Sequence, residues 1–363
     1  MKSAYLCLGG NLGNRKRSLD ESKRLIEKHC GKITASSRIY ETEPWKSKSQ
    51  NRFLNQVVRI SVKMNAHSLM EKLLEIERKL GRKRGVEKNE DRSCDIDILF
   101  FGNEIINEKD LIIPHPRIEK RRFVLQPLMD LDPELVHPVS NRKVKELVKN
   151  CKDELDVKEY KVPFYICIEG NIGAGKSTLA KALADKLKAK YLPEQFEKNS
   201  LLPLFYQDAE KYGFLLEYSF LLSRFQQIND AFAGKDRILV SDYAIFKCKW
   251  FASMNLKRKD NLLFEKHFKG IEEQLNRPDL IIYLDTPESN LIQNIRKRGR
   301  SYESGITREY LNKAKQAYIN GLKELKLIPQ MKIKITSYEQ GLTEKLLKKI
   351  KKELKERGLN NNI

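Results

Sequence analysis

A glycine-rich stretch near the middle of the chain constrains the fold more than any other feature. Gly170 is followed, after four residues, by Gly175-Lys176-Ser177, which is the spacing of a phosphate-binding loop. Glycines let the backbone curl so that successive N–H groups point at phosphate oxygens, and the positive end of the following helix adds to the attraction. The apolar run 164–168 before it is typical of a buried parallel strand, and leucines recur every fourth residue after it, as on a helix. This order of strand, loop and helix predicts a domain that binds a nucleoside triphosphate.

The second half of the chain continues as an α/β domain should. Strand-like runs at 189–192, 238–240, 280–284 and 332–336 alternate with helical segments, which predicts a parallel sheet covered on both faces. Asp242 and Asp285 follow two of these runs, at the strand ends where ligands bind in such sheets. We predict that the Lys176 side chain reaches the phosphates of ATP and that Ser177 and Asp242 bind Mg²⁺. The predicted ATP-binding loop comprises Gly170, Asn171, Ile172, Gly173, Ala174, Gly175, Lys176, Ser177 and Thr178.

Composition narrows the class of protein. Seventy Lys and Arg against 49 Asp and Glu give a net charge of +21, but the lysines are spread along the whole chain without interleaved aromatic residues. We therefore expect anionic metabolites, and not nucleic acid, as the ligands. The six cysteines form no Cys-x-x-Cys pair, which indicates reduced thiols. Neither a signal-peptide core nor an apolar run of ~20 residues is present, so we expect a cytoplasmic protein that does not bind a membrane.

The 363 residues predict two domains. The first, 1–150, reads as strands at 4–8, 33–40, 53–62 and 94–101 with helices at 18–29 and 66–80, which is an α+β pattern. The segment 151–161 is highly charged and poor in apolar residues, so we predict a linker there, followed by the kinase-like domain at 162–363.

Two aspartates carry the chemical signal of the first domain. Asp95 and Asp97 are two residues apart on a predicted strand, so both project from the same face while Ile96 faces the core. Paired carboxylates suit Mg²⁺ that carries nucleotide phosphates, although such a pair also occurs on exposed strands without a metal. Many cations for a triphosphate lie nearby in the sequence: Arg82, Arg84, Arg92, His115, Arg117, Arg121 and Arg122.

Further motifs accompany the two aspartates in residues 1–150: Gly9-Gly10-Asn11-Leu12-Gly13, Phe53-Leu54-Asn55-Gln56, Arg92-x-x-Asp95-Ile-Asp97, Pro114-His115-Pro116-Arg117 and Arg121-Arg122-Phe123-Val124-Leu125. Together these motifs resemble 6-hydroxymethyl-7,8-dihydropterin pyrophosphokinase of folate biosynthesis. The resemblance implies a ferredoxin-like fold that transfers the pyrophosphoryl group of ATP to the pterin hydroxymethyl oxygen and releases AMP. It also implies the site residues: Asp95 and Asp97 for two Mg²⁺; Glu77, Arg82, Arg92, His115 and Arg121 for ATP; Thr42, Phe53, Asn55 and Phe123 for the pterin.

Two positions depart from that family's pattern. Gly10 stands where the family usually has serine, and Asn89-Glu90-Asp91 stands where it has Trp-Gly-Pro. Since the second loop folds over the substrates in the family, this departure bears on its closure and on the rate of reaction.

The second half has distinctive residues beyond its loop: Glu194 after a strand, Glu217 and Arg224 on a helix, Ser241-Asp242-Tyr243 at a strand end, and Arg298-Gly299-Arg300. Through these residues the chain resembles the deoxynucleoside kinases over about 162–340. The resemblance implies that Glu194 takes the proton of the sugar 5′-hydroxyl and that Arg298 and Arg300 close on the phosphoryl group. It further implies a substrate site made by four residues: Tyr206 and Glu303 for the sugar, with Glu217 and Arg224 for the base.

This half also departs from its family's pattern. Tyr243 replaces the arginine that usually follows the strand-end acid, and Glu217 replaces a glutamine, which changes the donors and acceptors offered to the base. Our expectation is a purine deoxynucleoside, deoxyadenosine first, and ADP as the product.

The prediction for the whole chain is a bifunctional transferase that uses ATP and Mg²⁺. Two alternatives stay open: a first domain that only binds or dimerises, and a second domain that phosphorylates a nucleoside monophosphate. For its assembly, we consider a homodimer through the second domain.

Overall fold

The computed structural model describes residues 1–45, 49–82, 91–197, 199–300, 303, 305–326, 328–335 and 342–356. The chain divides into two compact units, Met1–Lys161 and Val162–Leu354. No helix in these described ranges is long and apolar enough to cross a membrane.

The first unit is an antiparallel sheet covered by helices. Its strands are β1 (Lys2–Gly10), β2 (Gly31–Ser36), β3 (Tyr40–Thr42), β4 (Phe53–Val62), β5 (Asp95–Phe101), β6 (Ile106–Asn107), β7 (Ile112–Ile113) and β8 (Val157–Glu159). Its helices are α1 (Arg15–His29), α2 (Ala66–Lys79), α3 (Arg122–Leu131) and α4 (Val144–Asn150). The sheet order is β5-β1-β4-β3-β8, with β2 also paired to β4, and every pairing is antiparallel. The predicted α+β class is confirmed.

The strand expected at 33–40 is wrong as a single element. The structure divides it into β2 and β3, because Ser37 bonds β4 through both its backbone and its side chain. Its N–H donates to the Val57 carbonyl at 2.9 Å, and its hydroxyl accepts the Val57 N–H at 3.0 Å. A side chain that substitutes for a ladder bond interrupts the strand at that position.

The charged segment predicted as a linker contains β8. This strand pairs with β3 in the register Tyr40↔Glu159, Glu41↔Lys158 and Thr42↔Val157. Further along, the Tyr160 N–H donates to the Ile39 carbonyl at 2.8 Å. The chain therefore stays hydrogen-bonded to the first sheet until it enters the second unit.

The second unit is a parallel sheet with helices on both faces. Its strands are β9 (Phe164–Gly170), β10 (Lys190–Leu192), β11 (Ile238–Ser241), β12 (Leu280–Asp285) and β13 (Gln330–Lys334), in the order β10-β11-β9-β12-β13. Its helices are α5 (Lys176–Leu187), α6 (Leu201–Gln207), α7 (Ala209–Phe232), α8 (Phe246–Asn255), α9 (Arg258–Glu272), α10 (Glu288–Arg298), α11 (Arg308–Glu324) and α12 (Leu342–Glu356). The predicted α/β class is confirmed.

The central strand β9 alternates between two apolar cores. Ile166 and Ile168 pack in one core with Leu183 of α5, whereas Tyr165 and Cys167 pack in the other core with residues of α7, α8 and α11. Because successive side chains of a strand point to opposite faces, Glu169 falls on the α7, α8 and α11 side. The phosphate-binding loop then leaves the carboxyl end of this central strand.

Candidate active sites

The first site is built on the start of β5, which presents two carboxylates from the same face. Asp95 and Asp97 are half-buried, whereas Ile96 between them is only 3 % exposed. The antiparallel register places Asp95 opposite Gly9 of β1. Both carboxylates line a cavity of about 200 Å³.

Gly10 is required where β1 passes the segment that precedes β5. A Cβ atom at this position would lie 2.5 Å from the Ser93 carbonyl oxygen, which is closer than these atoms approach. The side chain of the next residue, Asn11, donates to Asp91 at 2.6 Å and accepts the Arg92 N–H at 2.8 Å. Asp91 of the altered loop is thus tied to the end of β1, and the other two altered residues, Asn89 and Glu90, lie outside the described residues.

Basic side chains surround the two aspartates. Arg92 Nη1 lies 2.7 Å from an Asp95 oxygen, and Arg121 Nη1 lies 3.4 Å from an Asp97 oxygen. Arg82 bonds both Asp95 and the buried Glu77, whose Oε1 also accepts the Ile96 N–H at 2.8 Å. Glu77 therefore fixes Arg82 and the start of β5 from outside the cavity lining.

Burial and neighbouring charges shift the pKa values of two side chains in this cluster. Burial and the neighbouring Asp95 raise the pKa of Asp97 to about 6. Burial, together with Arg121 and Arg117, lowers the pKa of His115 to about 4, so this imidazole is neutral at pH 7. Its Nε2 lies 3.8 Å from Asp97. Two crowded carboxylates side by side are a donor set that fits Mg²⁺, because a divalent cation would neutralise them and takes oxygen ligands.

Aromatic rings form another wall of the same cavity. Phe53, Phe123 and Trp45 line it, and the centroids of the Trp45 and Phe123 rings are 6.5 Å apart. The Arg121 guanidinium lies 5.0 Å from the Trp45 centroid and 5.4 Å from that of Phe123. Flat rings beside cations can hold a flat heterocycle close to a phosphate chain.

Two buried polar side chains complete this pocket. Asn55 Nδ2 donates to Thr42 Oγ1 at 2.8 Å, and both residues are less than 5 % exposed. The pair lies on neighbouring strands, β4 and β3, and lines the cavity. Such fixed donors and acceptors can read the edge of a bound ring.

Most of the predicted residues of the first site converge. Those that line the cavity are Thr42, Phe53, Asn55, Arg82, Arg92, Asp95, Asp97, Arg121 and Phe123. Sequence reasoning missed Trp45 and Glu43, although their closeness to Thr42 in the chain is a signal that could have found them.

The second site begins at the phosphate-binding loop. Gly173 and Gly175 have φ values of +79° and +83°, and a Cβ at Gly173 would lie 2.7 Å from the Leu291 carbonyl oxygen. Only glycine accepts that backbone without strain. Lys176 Nζ donates to the carbonyl oxygens of Gly170 and Asn171 at 2.9 and 3.0 Å. Burial and the charge of Lys247 lower the pKa of Lys176 to about 8.

The remaining loop residues support this geometry. Asn171 Nδ2 donates to the Leu311 carbonyl at 2.8 Å, and its Oδ1 accepts the Ile172 N–H at 2.8 Å. Ala174 is buried, whereas Ser177 and Thr178 are exposed in the first turn of α5. Gly175 immediately precedes α5, so the N-terminus of this helix lies at the loop, where helix N-termini bind anions.

Asp242 connects three parts of the second site. Its carboxylate accepts hydrogen bonds from the Ser177 hydroxyl, from the Tyr191 hydroxyl at 3.0 Å and from the Glu194 N–H at 2.7 Å. Ser177 and Asp242, the predicted Mg²⁺ ligands, are therefore side by side, and their oxygens suit this cation. Asp285, at the end of β12, instead bonds Lys332 at 2.9 Å and Lys315 at 3.5 Å.

Glu194, the predicted base, lies between two cations. Lys247 Nζ is 2.8 Å from each carboxylate oxygen, and Arg224 bonds Oε1. These charges hold the pKa of Glu194 well below its usual range despite its burial. The carboxylate is therefore fully ionised at neutral pH.

A cavity of about 120 Å³ adjoins Glu194. All of the predicted acceptor-site residues line it together with the phosphate loop: Gly173, Lys176, Glu194, Tyr206, Glu217, Arg224, Arg298, Arg300 and Glu303. Sequence reasoning missed several others, namely Phe196, Phe220, Lys247, Phe251, Asn255 and Tyr310. Four of these residues are aromatic, and a base could stack on their rings.

The two arginines predicted to close on the phosphoryl group, Arg298 and Arg300, bond acidic side chains. Arg298 Nε is 3.0 Å from Glu303, and Arg300 Nη2 is 2.5 Å from Glu197. Arg300 also lies 4.4 Å from the Phe196 ring centroid. Both guanidinium groups therefore face the cavity while paired, and an incoming phosphate would compete for them.

Arg224 and Glu217, predicted to contact the base, have different partners. Arg224 is committed to Glu194 and to Cys248 Sγ, the latter at 2.8 Å. Glu217 is 3 % exposed and accepts a hydrogen bond from Asn255 Nδ2 at 2.7 Å. Burial raises the pKa of Glu217 to about 7, so its carboxyl group is protonated in about half of the molecules near neutral pH.

Comparison with known proteins agrees with this division of the chain. The family profile of 7,8-dihydro-6-hydroxymethylpterin-pyrophosphokinase (HPPK) matches residues 5–133. The 2-amino-4-hydroxy-6-hydroxymethyldihydropteridine pyrophosphokinase of Bacillus subtilis is 41% identical over 129 residues, which are 35% of this chain and 77% of that protein. Folic acid synthesis protein fol1 of Pneumocystis carinii is 36% identical over 182 residues, which are 46% of this chain and 24% of fol1. The chain thus spans about a quarter of the length of that larger relative.

The second half matches a different family. The deoxynucleoside kinase profile covers residues 166–356. Deoxyguanosine kinase of Bacillus subtilis is 34% identical over 165 residues, which are 45% of this chain and 80% of that protein. The chain therefore belongs to two kinase families, the pterin pyrophosphokinases through residues 5–133 and the deoxynucleoside kinases through residues 166–356.

Proposed function

We propose that the chain is a bifunctional transferase in which each unit carries its own ATP-dependent reaction. The first unit would pyrophosphorylate 6-hydroxymethyl-7,8-dihydropterin and release AMP. The second would phosphorylate a deoxynucleoside at its 5′-hydroxyl and release ADP. The observation that carries the proposal is that each cavity places carboxylates, phosphate-binding cations and a ring-binding wall together.

In the first unit, the residues divide between the two substrates. Phe53, Phe123 and Trp45 would stack on the pterin, and Asn55 would bond its edge. Arg82, Arg92 and Arg121 would hold the triphosphate, as their present carboxylate partners turn to Mg²⁺. The hydroxymethyl oxygen then forms a bond to the β-phosphorus while the bond from that phosphorus to the α–β bridging oxygen breaks, and the hydroxyl proton ends on the phosphate oxygen freed on AMP. Bound Mg²⁺ would neutralise charge on the phosphates and on Asp95 and Asp97.

In the second unit, the loop holds the nucleotide and Glu194 faces the acceptor. The 5′-oxygen bonds the γ-phosphorus, the bond to the β–γ bridging oxygen breaks, and the hydroxyl proton passes to Glu194. A carboxylate with a strongly lowered pKa is a weak base, so the proton moves late, after most of the phosphoryl group has transferred. Positioning and charge stabilisation then supply most of the rate.

The Glu217–Asn255 pair supports a purine as the base. A protonated carboxyl group can donate to adenine N1 and accept from the adenine amino group, which favours deoxyadenosine near and below pH 7. The ionised form can accept two hydrogen bonds from guanine, and the Bacillus relative at 34% identity is named a deoxyguanosine kinase. Deoxyguanosine is therefore the second candidate. Its rate of phosphorylation relative to that of deoxyadenosine should increase as the pH rises through about 7.

An acceptor screen with the full chain tests these proposals. The protein is incubated with Mg-ATP and one acceptor at a time, and AMP is separated from ADP by chromatography. We expect AMP only with the hydroxymethyl pterin and ADP with deoxyadenosine. Absence of pterin-dependent AMP would leave the first unit as a binding or dimerisation module, and ADP formed only with a nucleoside monophosphate would make the second unit a monophosphate kinase.

Three further features belong to the proposal. We place the end of the first domain near Lys161, because β8 pairs with β3. A homodimer through the kinase unit is supported by leucines on α7 and α9 that are about half exposed: Leu215, Leu222, Leu262 and Leu263. A cytoplasmic location is supported by six free cysteines, all within the described ranges. Analytical ultracentrifugation of the wild type and of Leu222→Glu tests the dimer. We expect a dimeric wild type and a monomeric variant, and a monomeric wild type would exclude the dimer.

A further inference from the structure

Lys247 is buried at the centre of the second site, and no sequence motif pointed to it. Its ammonium group lies 2.8 Å from both oxygens of Glu194, whereas Arg224 bonds only one of them. The Lys247 side chain is 11 % exposed and that of Glu194 is 9 % exposed, so water screens this pair only weakly. Lys247 also lines the cavity that contains Lys176 and the two arginines predicted to close on the phosphoryl group.

The position of Lys247 is set by a rigid turn between β11 and α8. The Ala244 N–H donates to the fully buried carboxylate of Glu169 at 2.6 Å, and the Lys247 N–H donates to the Ala244 carbonyl at 3.2 Å. Glu169 itself accepts a second bond from the Tyr318 hydroxyl at 3.1 Å. The turn is therefore anchored to β9, the strand that carries the phosphate loop.

Tyr243, at the start of this turn, does not supply a cation to the site. Its side chain is 0 % exposed in the core, and its hydroxyl donates to Gln227 at 3.2 Å. It is not among the described residues that line the cavity. Lys247, four residues further along the chain, brings an ammonium group to the Glu194 carboxylate instead.

We infer that Lys247 is a positioning residue of the kinase reaction, which holds the Glu194 carboxylate towards the acceptor hydroxyl and supplies the cation that Tyr243 lacks. The inference rests on the proposed deoxynucleoside kinase activity. A carboxylate gripped at both oxygens has one orientation, whereas Arg224 alone leaves the second oxygen free to rotate away. Loss of that orientation should affect turnover more than substrate binding, because a misplacement of about 1 Å can cost ~10²-fold in rate.

Three variants of the full chain test this role. Lys247→Met removes the charge at similar length, and Lys247→Arg retains it. Lys249→Met is the matched control. Lys249 lies two residues further along the same helix, and it bonds Glu324 at 2.9 Å instead of Glu194. The readouts are kcat and KM for the deoxynucleoside, the thermal midpoint, and pterin-dependent AMP formation as an internal standard for intact protein.

We expect Lys247→Met to lose about 10²-fold in kcat with KM changed less than about threefold, Lys247→Arg to recover at least a tenth of the wild-type kcat, and Lys249→Met to match wild type. An unchanged kcat in Lys247→Met would overturn the inference while leaving the proposed function in place. Equal losses of kcat in Lys247→Met and Lys247→Arg, together with a lowered thermal midpoint, would also overturn it. Such a result would mean that Lys247 stabilises the fold and does not position Glu194. A wild type without deoxynucleoside-dependent ADP formation would overturn the proposed function itself, and the inference with it.

Discussion

Replacing Glu194 by glutamine keeps the size of the side chain and removes a charge that two buried cations share. Lys247 and Arg224, with side chains 11 % and 5 % exposed, would then face each other across a neutral amide. Breaking a buried ion pair from one side costs about 3–5 kcal/mol. For a unit of this size each kcal/mol lowers the thermal midpoint by about 2–4 °C, so we expect a fall of roughly 6–20 °C for the second unit.

The same substitution also removes the proposed proton acceptor. General-base catalysis is worth about 10²–10⁴-fold, and the structure favours the lower part of that range because the ionised carboxylate is a weak base here. We therefore expect kcat with deoxyadenosine to fall by about 10²–10³-fold. ATP affinity should change little, because Glu194 is not part of the predicted phosphate-binding loop.

The assay measures deoxynucleoside-dependent ADP formation below the midpoint of the variant, beside its thermal unfolding. Glu197→Gln is the control, since the Glu197 side chain is 67 % exposed and its ion pair with Arg300 is a surface contact worth about 0–1 kcal/mol. Glu194→Gln with at least a tenth of wild-type turnover would refute the assignment of the base. If Glu197→Gln is the inactive variant, the base is three residues further along the chain.

Three other outcomes follow from the two sites. Asp97→Ala should abolish pterin-dependent AMP formation and leave ADP formation by the second unit unchanged, whereas loss of both activities would point to misfolding. Lys176→Ala should show the reverse pattern, and deoxynucleoside phosphorylation near the wild-type rate would exclude the loop as the ATP site. The pKa of Glu217 is raised from 4.5 to about 7, so its contribution to stability is full below pH 4.5 and is lost as the pH rises through 7. The thermal midpoint of the second unit should fall over that interval, and Glu217→Gln should flatten the slope in a melting series; an equal slope in both proteins would contradict the shift.

Local patterns predicted the parts of both sites that are local in the chain. The strand predicted at 53–62 has the observed bounds of β4, and the two-residue spacing of Asp95 and Asp97 gave their common face. The phosphate loop was predictable because its glycines, lysine and serine are contiguous. In each case the chemistry depends on neighbours within one element.

Features that depend on tertiary contacts were not predictable in the same way. Lys247 is 53 residues from Glu194 in the sequence, and tertiary contacts such as the turn held by buried Glu169 bring the two together. The partners of Arg224 were equally hidden, because nothing in its helix indicates that it faces Glu194 and not a base. A buried ion pair has no period or spacing that a single sequence displays.

The short strand β8 has a consequence for any attempt to separate the two activities by dissection. It covers the outer edge of β3, and its neighbours hold it there through Arg38–Glu159 at 3.2 Å and Arg52–Asp156 at 2.7 Å. A fragment that stops at Asn150 would expose a row of unpaired backbone groups beside Thr42, and open edges of this kind recruit strands from other molecules. Such a fragment would aggregate, whereas one that continues to Lys161 would keep β8 paired along β3.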